Sequence, residues 1–451
     1  MWEVVLLVVF AAGYLAIALE HSIGINKAAS ALLVGVLCWI IYVTHLIELL
    51  PAADVPAWFR AEVSAEVGAD GEAAAELPRL FAIEGQHLQQ TGEIASILFF
   101  LIGAMTIVEL IDAHEGFALI TDRVRTRSKR KLLWVVGVLT FFMSAALDNL
   151  TTTIVMVSLL RKLVADRQDR LKFVGLVVIA ANAGGAWTVI GDITTTMLWI
   201  KHKTDAVQIM QALLVPSLVC LLVPMIGMSW TLRGTLDPVA ANKETAHSGI
   251  QPWHQWLFLG LGLCGLLAVP VIKAVTHLPP YMGMMLSLSV LWVVSEVVGR
   301  DFDERTRSST HVLAALKRVD LSTVLFFLGI LLAVGSLSAS GILADAAAAL
   351  DRSVGDLRIV AVLTGLLSAV VDNVPLVAAG IDMYDLPMND RFWELLAYCA
   401  GTGGSCLVIG SAAGVAAMGI EHINFVWYLR AIGPWALAGY LAGASTLLAM
   451  G

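Results

Sequence analysis

Asp148 and Asn149 stand side by side in "SAALDNLTTTIVM", and Asp372 and Asn373 stand the same way in "SAVVDNVPLVAAG". A third acid, Asp192, sits in "GGAWTVIGDITTTM". All three carboxylates fall inside otherwise apolar stretches, where a charge costs about 2.5 to 3.5 kcal/mol even on a mild insertion scale; such residues default to functional candidates. Around them are oxygen donors suited to a hard cation: Asn149, Thr151, Thr152 and Thr153 beside Asp148, then Asn182, Thr188, Thr194, Thr195 and Thr196 about Asp192. Capping of a half-helix would account for any one acid, and back-bonding to its own helix for any one threonine. Three such acids together point to ion chemistry.

The sign of the charge narrows that chemistry. A carboxylate or phosphate substrate wants helix N-termini with neutral or cationic side chains, whereas the broken stretches supply acids without Lys or Arg. A desolvated carboxyl favours its protonated form, and a neighbouring sodium ion favours the ionised one, so one group can hold either H⁺ or Na⁺. Competition for one site is the least machinery that antiport needs. Glu109, Asp112 and His114 in "MTIVELIDAHEGF" form a second polar group near a span end. It reads equally as an ion entrance, a pH-sensing cluster or an ordinary solvated helix end, and the Glu20–His21 stretch is read as the last of these.

The elements that must position these residues are membrane spans. The chain has 451 residues, 58% hydrophobic and 14% charged, with a mean hydropathy of +0.82, well beyond a soluble domain. Apolar runs long enough for the roughly 30 Å hydrocarbon layer recur from end to end. The net charge of −8 is dispersed over loops, with no basic tract or zinc-spaced Cys/His cluster, which excludes nucleic acid as a partner and a structural metal. The five cysteines carry no disulfide pattern. "MWEVVLLVVFAAGYLAIALE" lacks a positive leading region and reads as a retained first span.

"TDRVRTRSKRK" from Thr121 carries six basic residues against one acidic and should be cytoplasmic, whereas the acidic loop from Pro51 to Glu93 should be external. The 29 residues from Leu132 to Leu160 would make a straight helix of about 44 Å, and both flanks are basic. The simplest arrangement is a re-entrant hairpin with "DNLTTT" at its turn, the alternative being one long tilted helix. The Asp372 segment has acidic flanks on both sides, so its hairpin would dip from the other face. "LFFL" precedes both hairpins, and "GGAWTVIG" and "GGSCLVIG" follow them in glycine-broken segments expected to unwind in mid-membrane. Three ordinary spans between the repeats invert the second, as in secondary transporters.

The expected fold is an all-α polytopic membrane protein with two inverted repeats, each having a re-entrant hairpin and a broken transmembrane helix. Residues 1–93 hold two N-terminal helices and the external loop. The first repeat covers 94–231 (hairpin 132–160, broken helix 173–200), linking loop and scaffold helices cover 232–320, and the second repeat covers 321–451 (hairpin 357–381, broken helix 392–418) with the C-terminal helix.

"ALDNLTTTIVM", "IGDITTTMLWI" and "SAVVDNVPLVAA" resemble the hallmark segments of NhaD-type sodium/proton antiporters, in the ion transporter superfamily. The resemblance covers the chain from about Leu98 onward. It implies a carrier rather than an enzyme: a multi-pass homodimer of the bacterial cytoplasmic (inner) membrane, exchanging Na⁺ or Li⁺ for H⁺ by an elevator motion. No cofactor is implied beyond the transported ions, and the partners are small inorganic cations and the bilayer. The positions carried over are Asp148, Asn149, Asn182, Asp192, Thr194, Thr195, Asp372 and Asn373; Thr152 joins them from the oxygen count, and Ser368 and Ser411 are weaker matches. Na⁺ is expected at Asp148, Asn149, Asp192 and Asp372. The halves are not equivalent, because Ser411 stands where Asp192 does and "VPLV" replaces "LTTT", so the first half should hold the cation more firmly. The alternative is a sodium-coupled organic or inorganic anion transporter of the same architecture, whose acids bind only the driving ion.

Overall fold

In lipid, an apolar run satisfies its own backbone groups only by forming a helix. The computed structural model describes residues 2–18, 20–46, 80–121, 124, 126–236, 250–370, 372–408 and 410–450; most of the expected external loop, part of the basic loop and residues 237–249 lie outside the described residues. Among the described residues six helices are long and apolar enough to cross a membrane: Lys27–His45, His87–Ala113, Ala206–Thr231, Pro252–Thr276, Pro280–Asp301 and Leu321–Ala339. The protein is an all-helical, multi-pass membrane protein.

In chain order the principal helices are α1 (Trp2–Ala18), α2 (Lys27–Ile41), α3 (His87–Ala113), α4 (Lys129–Ala146), α5 (Asn149–Leu163), α6 (Arg167–Ala186), α7 (Ile193–Ile200), α8 (Ala206–Thr231) and α9 (Pro252–Thr276). They continue as α10 (Pro280–Val298), α11 (Leu321–Ala339), α12 (Ile342–Ser353), α13 (Leu357–Leu367), α14 (Asn373–Met383), α15 (Arg391–Gly403), α16 (Ala412–Glu421), α17 (Phe425–Ala431) and α18 (Gly433–Ala449). The last apolar run, expected as one segment, is bent by 53° between α17 and α18. Pro434 stands in the first turn of α18 and has no N–H to continue the ladder across Ile432.

The chain packs as two compact units, Met1–Phe99 with Asp320–Gly355 and Ala378–Asp385, and Phe100–Val319 with Asp356–Val377 and Leu386–Gly451. In the first unit α2 and α11 cross closely enough that a Cβ on Gly329 would meet the Ala31 main chain. The Trp39 indole donates to the Leu332 carbonyl at 2.9 Å, and Gln90 donates to that of Gly335 at 3.1 Å.

In the second unit the first Asp-Asn segment is two helices, α4 and α5, and both of their outer ends meet the start of α6. Lys129 at the head of α4 pairs with Asp169 at 2.5 Å, and Arg170 donates to the Val164 carbonyl just past α5 at 2.9 Å. The "DNLTTT" stretch is not the turn itself. The interruption falls at Leu147 and Asp148, and Asn149 onward is already helix, because Asp148 caps α5.

The glycine pairs also differ from expectation. Gly184 and Gly185 lie within α6, and the unwound stretch is Trp187 to Asp192. The pair serves close approach instead: a Cβ on Gly184 would fall on the Phe141 carbonyl, and one on Gly185 on the Gly191 carbonyl. In the second half α15 runs through Gly403, where a Cβ would fall on the Gly365 carbonyl, and α16 begins after its cap, Ser411.

Candidate functional site

Two half-helices begin at acids. Asp192, in extended backbone (φ −144°, ψ 139°), caps α7: its Oδ1 accepts from the Thr194 N–H at 2.8 Å and from the Thr194 hydroxyl at 2.7 Å. Asp148 caps α5 in the same manner, Oδ1 accepting from the Thr151 N–H and Oδ2 from its hydroxyl, both at 2.7 Å. Each "Asp-x-x-Thr" or "Asp-x-Thr" spacing thus supplies an N-cap and a side-chain donor from one threonine, and the helix N-terminus favours the negative charge.

Asn149 joins these elements. Its Nδ2 donates to Asp192 Oδ2 and to Asn182 Oδ1, each at 3.1 Å. Asn182 in turn donates through Nδ2 to the hydroxyls of Ser405 and Ser411, both at 2.9 Å. One buried network therefore runs from Asp192 across α5 and α6 to the second half of the chain, where Ser411 caps α16 by accepting from the Gly414 N–H at 3.1 Å. Asp192 is 2% exposed and Asn182 fully buried. Among the described residues neither Asp148 nor Asp192 is bonded to Lys, Arg or His.

Asp372 stands before α14, its Oδ1 accepting from the Val374 N–H at 3.2 Å, and Asn373 is buried at the helix start. Ser368 donates to the Ala400 carbonyl at 3.1 Å, which matches Ser144 donating to the Ala181 carbonyl at 2.6 Å.

The threonines divide by where their hydroxyls point. Thr195 donates to the Thr188 and Asp192 carbonyls, and Thr196 to those of Val189 and Asp192, so both brace the unwound stretch. Thr152 is fully buried and its hydroxyl has no partner among the described residues. A hard cation here would be held by amide, hydroxyl and carboxylate oxygens, since no group of three His, Cys, Asp or Glu converges among the described residues.

Glu109, Asp112 and His114 end α3 and its following turn, and none is hydrogen-bonded to the Asp192 network. The buried His114 ring stacks on Phe258 at 3.4 Å with Nδ1 against the Leu110 carbonyl, and burial pulls its pKa down to about 4. Ser405 and Ser144 were not singled out by sequence. Ser405 follows the second glycine pair where Ala186 follows the first, so the repeat offers no polar counterpart to mark it.

The two ends of this assembly are also held. Arg161 and Arg170 pair with the buried carboxylate of Glu421 at the end of α16, at 2.5 and 3.0 Å, and Arg167 reaches the Glu421 and His422 carbonyls. At the opposite end Asn389, before α15, donates to the Lys203 carbonyl at 2.8 Å and accepts from the Asp205 N–H at 2.7 Å. Lys273 of α9 donates to the Trp199 carbonyl at 2.9 Å, with its ammonium over the Trp199 ring, at the C-terminal end of α7.

The profile of the citrate transporter family, CitMHS, matches residues 7–385. Sodium/proton antiporter 1 of Arabidopsis thaliana is 46% identical over 99% of this chain and 72% of its own length. Sodium/proton antiporter 2 of the same plant is 42% identical over 98% of both, and the Na(+)/H(+) antiporter NhaD of Vibrio cholerae is 33% identical over 80% of this chain and 82% of its own. These are membrane carriers rather than enzymes, and the chain belongs to the NhaD-type sodium/proton antiporter family.

Proposed function

We propose that the protein exchanges Na⁺ or Li⁺ for H⁺ across the membrane, with Asp148, Asp192 and Asp372 binding cation and proton in competition. The observation that carries this reading is the bonding of Asp192. Among the described residues its buried carboxylate meets neutral donors alone, Thr194 and Asn149, so its charge needs a proton or a metal cation for balance. The half-buried Asp148 likewise accepts from the neutral donor Thr151. Asn149 and Asn182 keep the network oriented whichever ion is bound, and Thr152 has a hydroxyl oxygen to spare.

The architecture of the reading is two inverted repeats with re-entrant hairpins. It is supported by matched contacts: Ser144 with Ala181 and Ser368 with Ala400, Gly184 against Phe141 and Gly403 against Gly365. The start of α6 lies with the end of α16, and the residues after α7 lie with the start of α15, so corresponding helices run in opposite senses. A homodimer moving as an elevator in the bacterial cytoplasmic membrane completes the proposal. Relatives named as sodium/proton antiporters support the ion pair, and those from Arabidopsis thaliana widen the choice of membrane.

Citrate in the family description favours the second reading, a sodium-coupled anion transporter. Proton flux in proteoliposomes separates the two. Na⁺ or Li⁺ alone should collapse an imposed pH gradient, K⁺ and citrate should not, and Asp148→Asn and Asp192→Asn should abolish the response. Silence with the cations and Na⁺-dependent citrate uptake would establish the anion carrier instead.

A further inference from the structure

Helices α4 and α8 lie antiparallel, joined at the basic side of the protein by a short clasp. The Leu236 N–H donates to the Arg127 carbonyl at 2.7 Å, and the Lys129 N–H to that of Gly234 at 3.1 Å. Further along the seam the Trp134 indole donates to the Ser229 hydroxyl at 3.0 Å, and Gly137 faces Met225. The clasp fixes two arginines. Arg130 Nε donates to the Ser229 carbonyl and Arg233 Nε to that of Trp230, both at 3.1 Å. Tethering at Nε leaves the two terminal nitrogens of each guanidinium without a protein partner among the described residues. Arg127 and Lys131 add exposed positive charge, while Lys129 is neutralised by Asp169.

Both helices then present the same depth order. On α4 an Arg is followed, one turn at a time, by exposed Trp134, Val138 and Phe142. Arg233 stands two residues past the end of α8, and reading back along that helix come exposed Trp230, Ile226 and Leu222. At about 1.5 Å per residue each step goes some 6 Å deeper. Cation, interfacial aromatic and aliphatic side chains in that order match the phosphate, glycerol-ester region and acyl chains of a phospholipid. A pair of pre-set guanidinium forks suits a phosphate better than mobile lysines would.

We propose that the α4–α8 clasp is a binding site for an anionic phospholipid, its phosphate held between Arg130 and Arg233 and its acyl chains lying along Val138, Phe142, Ile226 and Leu222. The site is separate from the Asp192 network and does not depend on which ions are carried.

Native mass spectrometry of the full chain in detergent, offered equal amounts of phosphatidylglycerol and phosphatidylcholine, tests it. The wild type should retain the anionic lipid in roughly tenfold preference, Arg130→Gln/Arg233→Gln should retain the two alike, and Arg130→Lys/Arg233→Lys should fall between. Soluble glycerol phosphate at the same concentration should displace nothing, because the acyl tracks contribute to binding. Equal retention of both lipids by the wild type would overturn the proposal, whether or not the variants fold. So would an undiminished preference in the Gln variant, or full displacement by glycerol phosphate.

Discussion

Asn149 and Asp192, on different helices and 43 positions apart, meet at 3.1 Å between Nδ2 and Oδ2. The same amide nitrogen bonds Asn182, so a single side chain couples the cap of α7 to the last turns of α6. Replacing it with alanine leaves a carboxylate oxygen and an amide oxygen buried without that donor, a loss of about 1 to 3 kcal/mol. Asn149→Ala is therefore expected to lower Na⁺-dependent proton flux at least about tenfold, read as the dye-monitored collapse of a pH gradient in proteoliposomes. Flux within twofold of wild type would place Asn149 outside the ion path.

Gly184 and Gly403 occupy corresponding places, each pressed against a main-chain carbonyl that has no room to move aside. Gly184→Ala and Gly403→Ala should both destabilise, by about 1 to 3 kcal/mol as for other overpacked sites. Gly260 and Gly419 have open space at their Cβ positions and should tolerate alanine. Thermal unfolding in detergent compares the four, and equal behaviour of all four would contradict the close approach described above.

Lys273 holds the C-terminal end of the eight-residue helix whose N-terminal end is capped by Asp192. A cation in that place complements the helix dipole as well as the Trp199 carbonyl. Lys273→Gln should lower turnover roughly 3- to 10-fold, and Lys273→Arg should restore most of it. Turnover measured at saturating Na⁺ decides, since a change confined to the Na⁺ concentration for half-maximal rate would assign Lys273 to ion binding instead.

His114 gives a pH prediction with a definite sign. Its folded pKa is about 4 because the ring is buried against Phe258, whereas the ordinary value is 6.5. Between those values the unfolded chain binds the extra proton and the fold does not, so stability rises with pH through that window and is flat above it. Acidifying from pH 7 to 5 should remove on the order of 2 kcal/mol through this residue, and His114→Phe should blunt that slope in melting curves. The exchange profile above pH 7 should not move on the same substitution.

The acids, their apolar settings and the internal repeat were legible in the sequence, because a charge in a hydrophobic run and a glycine pair at a matching position are both visible without coordinates. Asp148, Asp192 and Asp372 were singled out that way, with Asn149 and Asn182 as oxygen donors nearby, and the folded chain puts those two amides into one network with Asp192. Helix interruptions were legible only to within a turn. Gly184 and Gly185 looked like the break, yet they remain helical because tight packing on Phe141 satisfies what their weak propensity does not.

What only the tertiary structure decided is which polar groups share bonds. Ser405 has no acid or repeat partner to mark it, and it enters the site solely because α6 carries Asn182 to within 2.9 Å of its hydroxyl. Spacing along a chain sets which residues share a helix face, and it says nothing about two helices 223 positions apart. That pairing is set by how the two broken helices cross, where small residues let their backbones approach and buried polar groups must find each other.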